Sequence, residues 1–457
     1  MHKTLVINAV GLTPSLIGDA TPALRDLVAR GRLTTIREVL PAVTCTAQAT
    51  YLTGKLPQEH GIVGNGWYDR DSAEVRFWRQ SNKLVQAESL WDAAKRIDTS
   101  FTCANINWWH AMYSSADVTV TPRPMYPADG RKLPDIWTNP PALRDDLQLT
   151  LGQFPLFKYW GPATSIEATR WLASAAIEVD RQFDPTLTLC YLPHLDYNLQ
   201  RLGPADDAIA TDLRELDAEV ARLVEHFEGE QARVVVLSEY GIHPVLRAIH
   251  LNRVLREAGH ITIREELGLE LLDAGASAAF AVADHQLAHI YVNDPARLSA
   301  VAKLVADQPG VSSIYIGEQR RTIGLDHDRA GDIVALARPE SWFSYYYWLD
   351  DALAPDFART VDIHRKPGYD PVELFIDPAV SAPKLTVGAT LFKRKLGMRA
   401  LMKLTPLDAD LVKGSHGVPA LTPDRGPLFI SGRATLLNDE PIEATDVRDL
   451  LLRHLTD

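Results

Sequence analysis

The sequence predicts an α/β protein in which a mostly parallel sheet lies between layers of helices. Short, fully apolar runs at 5–10, 186–192 and 233–238 are typical of strands buried on both faces. Segments with apolar residues at helical spacing alternate with these runs, which is the order that builds parallel sheets. They are ALRDLVARG (23–31), SLWDAAKR (89–96), ATRWLASAAIEV (168–179) and DLRELDAEVARLVEHF (212–227).

Residues 245–325 have a pattern of their own and predict a small inserted α+β cap. The run AFAVADHQLAHIYV (279–292) predicts a strand, and a helix and a further strand follow it. Residues 1–244 and 326–457 then form the main core. GDIVALA (331–337) is predicted to resume the main sheet, and DVRDLLLRHL (446–455) to close it as a terminal helix.

Composition excludes several classes of protein. The formal net charge of -12 disfavours a nucleic acid polymer as partner, because counterion release needs a basic surface. The 3 cysteines are scattered without metal or disulfide spacing, and the N-terminal apolar run is too short for a signal peptide. No apolar run is long enough for a membrane span, so we expect a cytoplasmic protein.

One basic run, 391–403, indicates a solvated helix face, or a surface that steers anions or touches a membrane.

Four polar side chains fall at or just past the ends of predicted elements. Asn8, Asp196 and Glu239 follow or end the apolar runs, and Thr44 stands where a loop becomes a helix. Ligands of parallel sheets bind at the carboxyl ends of the strands, so these four residues are predicted to share one site.

The segment around Thr44 predicts a short helix over 44–53. Pro41 and Val43 favour an extended approach, Thr44 is a favoured N-cap, and Gly54 and Pro57 end the helix. A hydroxyl at a helix N-terminus lies beside backbone N–H groups that bind anions, which makes Thr44 a candidate phosphoryl nucleophile. The alternative is that Thr44 only caps the helix.

At Pro41, Thr44, Thr53-Gly54, Pro57 and His60-Gly61 the chain resembles the alkaline phosphatase superfamily, in its nucleotide pyrophosphatase/phosphodiesterase branch. The resemblance implies a nucleophilic Thr44 and two zinc ions held by Asp and His residues, and such proteins commonly carry an inserted cap. His60 would help to shape the site without binding metal.

The implied metal ligands are only partly present. Asp196 and His416 match their positions, Glu239 keeps a carboxylate, and Gln200 and Tyr240 replace two His. Val10 stands where the first Asp is expected, with Asn8 as the nearest polar substitute. The remaining set is Asp196, Glu239, His416, Gln200 and Asn8; its oxygen-rich character favours one Mn²⁺, Mg²⁺ or Ca²⁺ over two Zn²⁺. The alternative is that no metal binds.

Other candidates are weaker. Among His194, His243, His250, His285 and His289, the best replacement ligand is His243, which would share a face with Glu239 if a helix starts there. For each of the five, a structural role is the favoured alternative. Asn65 is a candidate oxyanion donor, since Ala47 stands where the family places an Asn, and Arg365 and Lys366 are candidate anion binders. An ion-paired surface turn is the alternative for Arg365 and Lys366. The aromatic run 342–348 favours core packing over stacking on a base.

Together these features predict a metal-dependent hydrolase of a phosphodiester, pyrophosphate or phosphomonoester bond in a small phosphorylated metabolite. The alternatives are a divergent member that binds such a metabolite without hydrolysing it, or one that transfers its phosphoryl group in a biosynthetic pathway.

Overall fold

A computed structural model describes residues 1–129 and 131–457 of the chain. The strands are β1 (Thr4–Ala9), β2 (Arg32–Arg37), β3 (Gly66–Asp69), β4 (Glu74–Phe77), β5 (Cys103–Ile106), β6 (Val118–Pro122), β7 (Ile136–Asn139), β8 (Leu187–Leu192), β9 (Arg233–Leu237), β10 (His243–Pro244), β11 (Arg247–Ile249), β12 (Thr262–Glu266), β13 (Leu269–Asp273), β14 (Ala279–Asp284), β15 (Leu287–Val292), β16 (Val311–Ile316), β17 (Ile333–Ala337), β18 (Ser341–Phe343), β19 (Gly414–Ser415), β20 (Leu428–Ser431) and β21 (Ile442–Glu443).

The α-helices alternate with these strands through the first half of the chain, as the apolar patterning predicts. They are α1 (Pro22–Arg30), α2 (Thr44–Thr53), α3 (Pro57–His60), α4 (Leu90–Ile97), α5 (Leu143–Leu151), α6 (Leu156–Tyr159), α7 (Ile166–Phe183), α8 (His194–Leu202), α9 (Ile209–Gly229), α10 (Leu251–Glu257), α11 (Leu298–Ala306), α12 (Pro383–Lys395) and α13 (Val447–Thr456).

The central sheet is mostly parallel, which confirms the predicted fold class. Within the described residues its strand order is β21-β2-β20-β9-β1-β8-β5-β6-β7. β1 lies at its middle and pairs in parallel with β8 and β9, while β20 and β7 run antiparallel to their neighbours. All residues of β1, β8 and β9 are buried, as expected for a sheet covered on both faces.

Helices pack around this sheet in two groups. α9 packs against α1 and α7, and α13 packs against α2 and α4. The terminal helix predicted from 446–455 is therefore present as α13 and covers the helix that begins at Thr44. A single large apolar core includes residues of the sheet and of both helix groups.

A second, smaller sheet differs from the predicted arrangement. Its order is β14-β15-β17-β16, and all its pairings are antiparallel. The run 279–292 is a hairpin rather than one strand, because the chain turns at His285, which has a φ of 61°. GDIVALA supplies β17 to this small sheet, so the prediction that it resumes the main sheet is wrong, and the small sheet extends past residue 325. Every residue of β17 is apolar, a pattern that fits either sheet, so only long-range pairing decides which sheet it joins.

The aromatic run 342–348 packs into the interior, where Trp342, Tyr345, Tyr346, Tyr347 and Trp348 belong to one buried cluster. Among the described helices none has the length and apolar character needed to cross a bilayer.

Candidate active site

The site is built where three neighbouring strands of the central sheet end. Asn8 is on β1, Asp196 is in the first turn of α8 just after β8, and Glu239 follows β9. Because β1 lies between β8 and β9, the sheet brings these residues to one edge. The structure thus brings together the residues predicted to converge, and α2 adds Thr44 above them.

Thr44 begins α2 but does not cap it. The N-cap residue is Val43, in extended conformation with φ -134° and ψ 157°, and no side-chain capping bond forms. The Thr44 hydroxyl instead shares a 3.1 Å hydrogen bond with the hydroxyl of Tyr240. The prediction that Thr44 is the N-cap is therefore wrong by one residue, and its side chain points to the strand ends.

Asp196 is buried and both its carboxylate oxygens accept hydrogen bonds from neutral groups. The Tyr240 hydroxyl donates to Oδ1 at 3.2 Å, and Gln200 Nε2 donates to Oδ2 at 2.8 Å. Tyr369 in turn donates its hydroxyl to Gln200 Oε1 at 3.0 Å. Burial raises the pKa of Asp196 to about 7, and the hydrogen bonds from Tyr240 and Gln200 only partly oppose this shift.

Glu239 occupies the other half of the site. Asn8 Nδ2 donates to Glu239 Oε1 at 2.6 Å, and Gln48 on α2 donates its amide to the same oxygen. Burial raises the pKa of Glu239 to about 8. Two oxygens here, Glu239 Oε2 and Asn8 Oδ1, have no hydrogen-bond partner among the described residues. Unpaired buried acceptors are costly, so they indicate a place for a cation or a proton.

His416 stands beside this network as a neutral imidazole. Its Nδ1 lies 2.7 Å from the carbonyl oxygen of Ala42, to which it donates, and burial lowers its pKa to about 3. The ring stacks on Tyr240 with centroids 3.6 Å apart and planes 5° apart. On its other side it meets His285, whose centroid is 3.7 Å away, and His285 stacks on Tyr369 at 3.6 Å.

The residues present do not fit two close zinc ions. Tyr240 stands at one of the implied His positions and places its hydroxyl between Thr44 and Asp196, where a cation would have to lie. Both oxygens of Asp196 are already used as acceptors. Within the described chain, the group of His, Cys, Asp and Glu residues whose ligand atoms all lie within 4.8 Å of one another is His194, Asp212 and Glu215, away from the predicted set. The unpaired oxygens of Glu239 and Asn8 are of the chemical type that a hard divalent ion binds.

The other histidines do not replace the missing ligands in the way predicted. No helix starts directly after Glu239. His243 is in β10, which pairs with β19, so His243 does not share a helix face with Glu239. Its Nε2 has no partner among the described residues. His250 hydrogen bonds Ser344, and His289 hydrogen bonds the carbonyl oxygen of Val63.

The predicted substrate-binding residues have three different placements. Asn65 is buried and supports α2: its Oδ1 accepts from the backbone N–H of Cys45 at 3.0 Å, and its amide donates to Asp284 at 3.0 Å. Lys366 is fully buried in ion pairs of 2.7 Å with Asp370 and with Glu373. Its charge is therefore already paired, as the alternative has it, but in the interior rather than in a surface turn. Arg365 lines the cavity described next and pairs with Asp356 at 3.0 Å.

A cavity of about 620 Å³ opens on to this network. Thr44, Asp196, Tyr240 and His285 form its polar end. Aromatic rings form much of its wall, namely Trp78, Trp109, Tyr126, Tyr159, Trp160 and Tyr369. Charged side chains, most of them basic, also line it, among them Arg123, Lys132, Arg365 and Arg394. A concave site with aromatic walls and basic side chains suits an anionic ligand whose reacting group lies at Thr44.

Sequence reasoning missed several residues of the site. Gln48 lies four residues after Thr44, one turn along α2, so helical spacing was the available signal. Tyr240 was noted only as a lost ligand, although it links Thr44 to Asp196. His285 is among the candidate replacement ligands in the sequence but not as the partner of His416, and no local pattern connects Tyr369 with the site.

A mostly parallel sheet with a helix-start threonine above its strand-end carboxylates is the arrangement that the resemblance to the alkaline phosphatase superfamily implies. The sequence model of the family described as "Type I phosphodiesterase / nucleotide pyrophosphatase" matches residues 4–370, and the chain belongs to that family. This confirms the resemblance found at residues 41–61 and the predicted class of enzyme, a phosphodiesterase- or nucleotide-pyrophosphatase-like hydrolase.

Solved structures with the same fold span the whole chain. Murine ectonucleotide pyrophosphatase/phosphodiesterase 5, an inactive variant in complex with AMP, is 16% identical with a TM-score of 0.61, covering 100% of this chain and 95% of its own. Phosphonoacetate hydrolase from Sinorhizobium meliloti 1021 in complex with phosphonoacetate is 16% identical with a TM-score of 0.63, covering 100% and 96%. At such identities the likeness shows the fold alone. No curated protein matches the chain in sequence.

Proposed function

We propose that the protein hydrolyses a phosphodiester, pyrophosphate or phosphomonoester bond in a small phosphorylated metabolite, with Thr44 as nucleophile. The observation that carries the proposal is the hydrogen-bonded chain from Thr44 through Tyr240 to Asp196 at the polar end of the cavity. The AMP and phosphonoacetate bound by the two fold neighbours support a small phosphorylated ligand.

The hydrogen-bonded chain has a defined direction. Tyr240 has one hydroxyl proton, and it donates that proton to Asp196 Oδ1 at 3.2 Å. Thr44 must therefore donate its own proton to the oxygen of Tyr240 across the 3.1 Å contact. As Thr44 Oγ attacks phosphorus, its proton passes to Tyr240 and that of Tyr240 passes to Asp196. Asp196 suits this role because burial raises its pKa to about 7, close to the neutral pH at which a general base is most effective.

The bond formed is Thr44 Oγ–P, and the bond broken joins phosphorus to the leaving-group oxygen, which takes up the proton that Asp196 received. Water then cleaves the phosphothreonine and regenerates Thr44. We propose a single divalent ion, Mn²⁺, Mg²⁺, Ca²⁺ or Zn²⁺, held by Glu239 Oε2 and Asn8 Oδ1. Bound there, it would supply positive charge to the non-bridging phosphate oxygens. A cytoplasmic setting is also part of the proposal, because Cys45, Cys103 and Cys190 are buried free thiols.

One observation favours a second candidate function. Both oxygens of Asp196 accept hydrogen bonds from neutral donors, and an amide (Gln200) and a phenol (Tyr240) stand where the resemblance implies metal-binding imidazoles. Such a site can bind a phosphorylated metabolite without cleaving it, or pass its phosphoryl group to an acceptor other than water.

Turnover of a panel of phosphodiesters, pyrophosphates and phosphomonoesters, each with added Mn²⁺, Mg²⁺, Ca²⁺ or Zn²⁺, tests the proposal. The variant Thr44→Ala should lose at least about a thousandfold in kcat, in line with loss of a covalent nucleophile. Thr53→Ala is the matched control: it removes a buried hydroxyl from the same helix, bonded to the carbonyl oxygen of Ala49 at 2.6 Å, and should keep turnover.

Elemental analysis of the purified protein supplies the metal count. We expect one divalent ion per chain, lost in Glu239→Gln. Two retained zinc ions would contradict the geometry described above. Binding of a metabolite without turnover under any metal, unchanged in Thr44→Ala, would establish the binding function instead.

A further inference from the structure

A basic and apolar surface segment lies outside the catalytic network. We call residues 383–403, which comprise α12 and the eight residues after it, the α12 segment. All its charged residues are basic, whereas the chain as a whole has a formal net charge of -12. They are Lys384, Lys393, Arg394, Lys395, Arg399 and Lys403.

The α12 segment exposes an apolar stripe. Leu385, Phe392 and Leu396 are spaced by seven and four residues and so lie on one face of α12, where they are 75%, 62% and 60% exposed. Met398 and Leu401 beyond the helix are also exposed, at 48% and 45%. Lysines flank the stripe, and an apolar face with basic borders is typical of helices that lie in a membrane interface.

A different face of the same helix borders the cavity of the active site. Val387, Leu391 and Arg394 line the cavity, with a helical spacing of four and three that sets them apart from the exposed stripe. Leu401, Met402 and Leu404 continue this aliphatic wall. The α12 segment therefore forms one side of the cavity whose polar end holds Thr44, and it turns its apolar stripe outward.

The wall chemistry indicates the shape of the ligand. Ile363 and Ile376 also line the cavity and add to its aliphatic surface, while Arg123, Lys132 and Arg365 add positive charge that suits a phosphate ester. A volume of about 620 Å³ holds more than a phosphate group. A ligand with a phosphate at Thr44 and a hydrocarbon chain against the aliphatic wall would occupy both the polar end and the aliphatic part of the cavity.

We propose that the α12 segment docks the protein on an anionic lipid surface, and that the substrate of the Thr44 site is a phosphate ester with a hydrocarbon tail drawn from that surface. The substrate class rests on the proposed function; the docking does not. Charge favours lipid over a second copy of this chain as the occupant, because a symmetric contact through this stripe would bring two basic segments together.

Vesicle co-sedimentation tests the docking. Wild-type protein should sediment with vesicles of equal parts phosphatidylcholine and phosphatidylglycerol, and less with phosphatidylcholine alone or at high salt. The triple variant Leu385→Ser, Phe392→Ser and Leu396→Ser should lose at least about tenfold in partition. The matched control is Leu149→Ser, Leu246→Ser and Leu267→Ser, which removes leucines that are 88%, 78% and 103% exposed elsewhere and should sediment like wild type.

Wild-type protein that stays in the supernatant with both vesicles, or a triple variant that sediments like wild type, would overturn the docking. If the wild type is a dimer that binds no vesicles and the triple variant is a monomer, the stripe contacts a second copy of the chain. That result would also overturn the docking on lipid.

Titration of Thr44→Ala protein with butyl and decyl phosphate tests the tail, since neither ligand can be turned over by Thr44. Affinity should rise about fourfold for each methylene group that enters the aliphatic wall. Equal affinity for butyl and decyl phosphate, or no binding of decyl phosphate, would overturn the proposal that the substrate has a hydrocarbon tail. Absence of turnover of every ester by wild type would overturn the proposed function alone, since vesicle and alkyl phosphate binding need no turnover.

Discussion

At the residue scale, the groups that donate hydrogen bonds to the two buried carboxylates of the site are neutral. Asn8 and Gln48 donate to Glu239, and Gln200 and Tyr240 donate to Asp196. A neutral donor stabilises a buried carboxylate far less than a cation does, so burial dominates. The pKa of Asp196 is accordingly raised to about 7 and that of Glu239 to about 8.

These pKa values predict how stability depends on pH in protein freed of metal. A carboxyl with a raised pKa keeps its proton when folded but releases it at about pH 4 when unfolded. The unfolded state then binds fewer protons, so the free energy of unfolding falls as pH rises from about 4 through 8. Below about pH 7.5 the buried histidines, whose pKa values are lowered, act in the opposite direction, because they bind protons only in the unfolded state; above that pH they are neutral in both states and add nothing.

Thermal unfolding between about pH 7.5 and 8.5 therefore should show a falling Tm, because the free energy of unfolding falls by up to about 1.4 kcal/mol per pH unit for each such group. Glu38 and Asp284, with pKa values also raised to about 7, contribute to the lower part of this range. The substitution Glu239→Gln should reduce the fall in Tm in the upper part of this pH range. A Tm that rises over this range in the wild type would contradict the assignment.

Arg365 and Lys366 are neighbours with opposite expected roles. Lys366→Met would leave Asp370 and Glu373 buried without their cation and should cost about 3–5 kcal/mol of stability. Arg365→Gln should leave Tm nearly unchanged and raise KM for anionic substrates, because its half-exposed side chain lines the cavity. Denaturant unfolding and steady-state kinetics on both variants check this. A large loss of stability in Arg365→Gln, or a stable Lys366→Met with raised KM, would reverse the two roles.

The sequence was sufficient to find the residues that meet at the strand ends, because apolar strand runs and the resemblance locate them independently. It was insufficient for their hydrogen bonding. The partner of Thr44 is Tyr240, which is 196 residues away, and no local pattern encodes that contact. The burial of Lys366 likewise depends on Asp370 and Glu373 folding over it, which charge patterning alone leaves open.

At the scale of elements, the boundaries of α2 follow from local chemistry. Gly54 ends the helix in the left-handed region with φ 65°, as its position after the periodic run predicts. A Cβ added there would lie 3.2 Å from the carbonyl oxygen of Thr445. Gly54→Ala should therefore destabilise the protein by about 1 kcal/mol or more and lower Tm.

Gly388 offers the matched control for this prediction. It lies inside α12, and an added Cβ would meet nothing within 4 Å. Gly388→Ala should leave stability unchanged or raise it by up to about 1 kcal/mol, through helix propensity. A Gly54→Ala protein as stable as wild type would show that the left-handed conformation at the end of α2 carries no strain.

Long, strongly periodic elements were predictable, and pairing was not. α7 and α9 appear where their apolar spacing places them. The run 279–292 contains no glycine or proline to mark its turn, so the hairpin formed through His285 could not be predicted from local signals. β17 is assigned to the small sheet only by its pairing with β15 and β16.

At the scale of the molecule, the small sheet is joined to the active site. Asp284, at the end of β14, accepts hydrogen bonds from the backbone N–H of Asn65 at 2.7 Å and from its amide at 3.0 Å. Asn65 in turn holds the start of α2. The backbone N–H of Gln286 donates to the carbonyl oxygen of His416 at 2.9 Å. Hydrogen bonds from the small sheet therefore help to position Thr44 at the edge of the central sheet.

We expect the whole chain to unfold in one cooperative transition. Tryptophan fluorescence, which samples both sheets, and far-ultraviolet circular dichroism should give the same Tm. Asp284→Ala should lower that Tm and reduce kcat together, because it releases Asn65 from the start of α2. Two resolved transitions in the wild type would instead mean that the small sheet unfolds as an independent unit.

The stacked rings of Tyr240, His416, His285 and Tyr369 give the protein an optical property as well as a chemical one. Phenols held rigidly against other rings in an asymmetric interior absorb left- and right-circularly polarised light unequally near 280 nm, so this column is a chromophore whose signal depends on its geometry. Trp78 lies with its ring centroid 6.1 Å from that of Tyr369, close enough for excitation of the phenol to reach the indole. Occupancy of the cavity can therefore be followed by light alone, without a label.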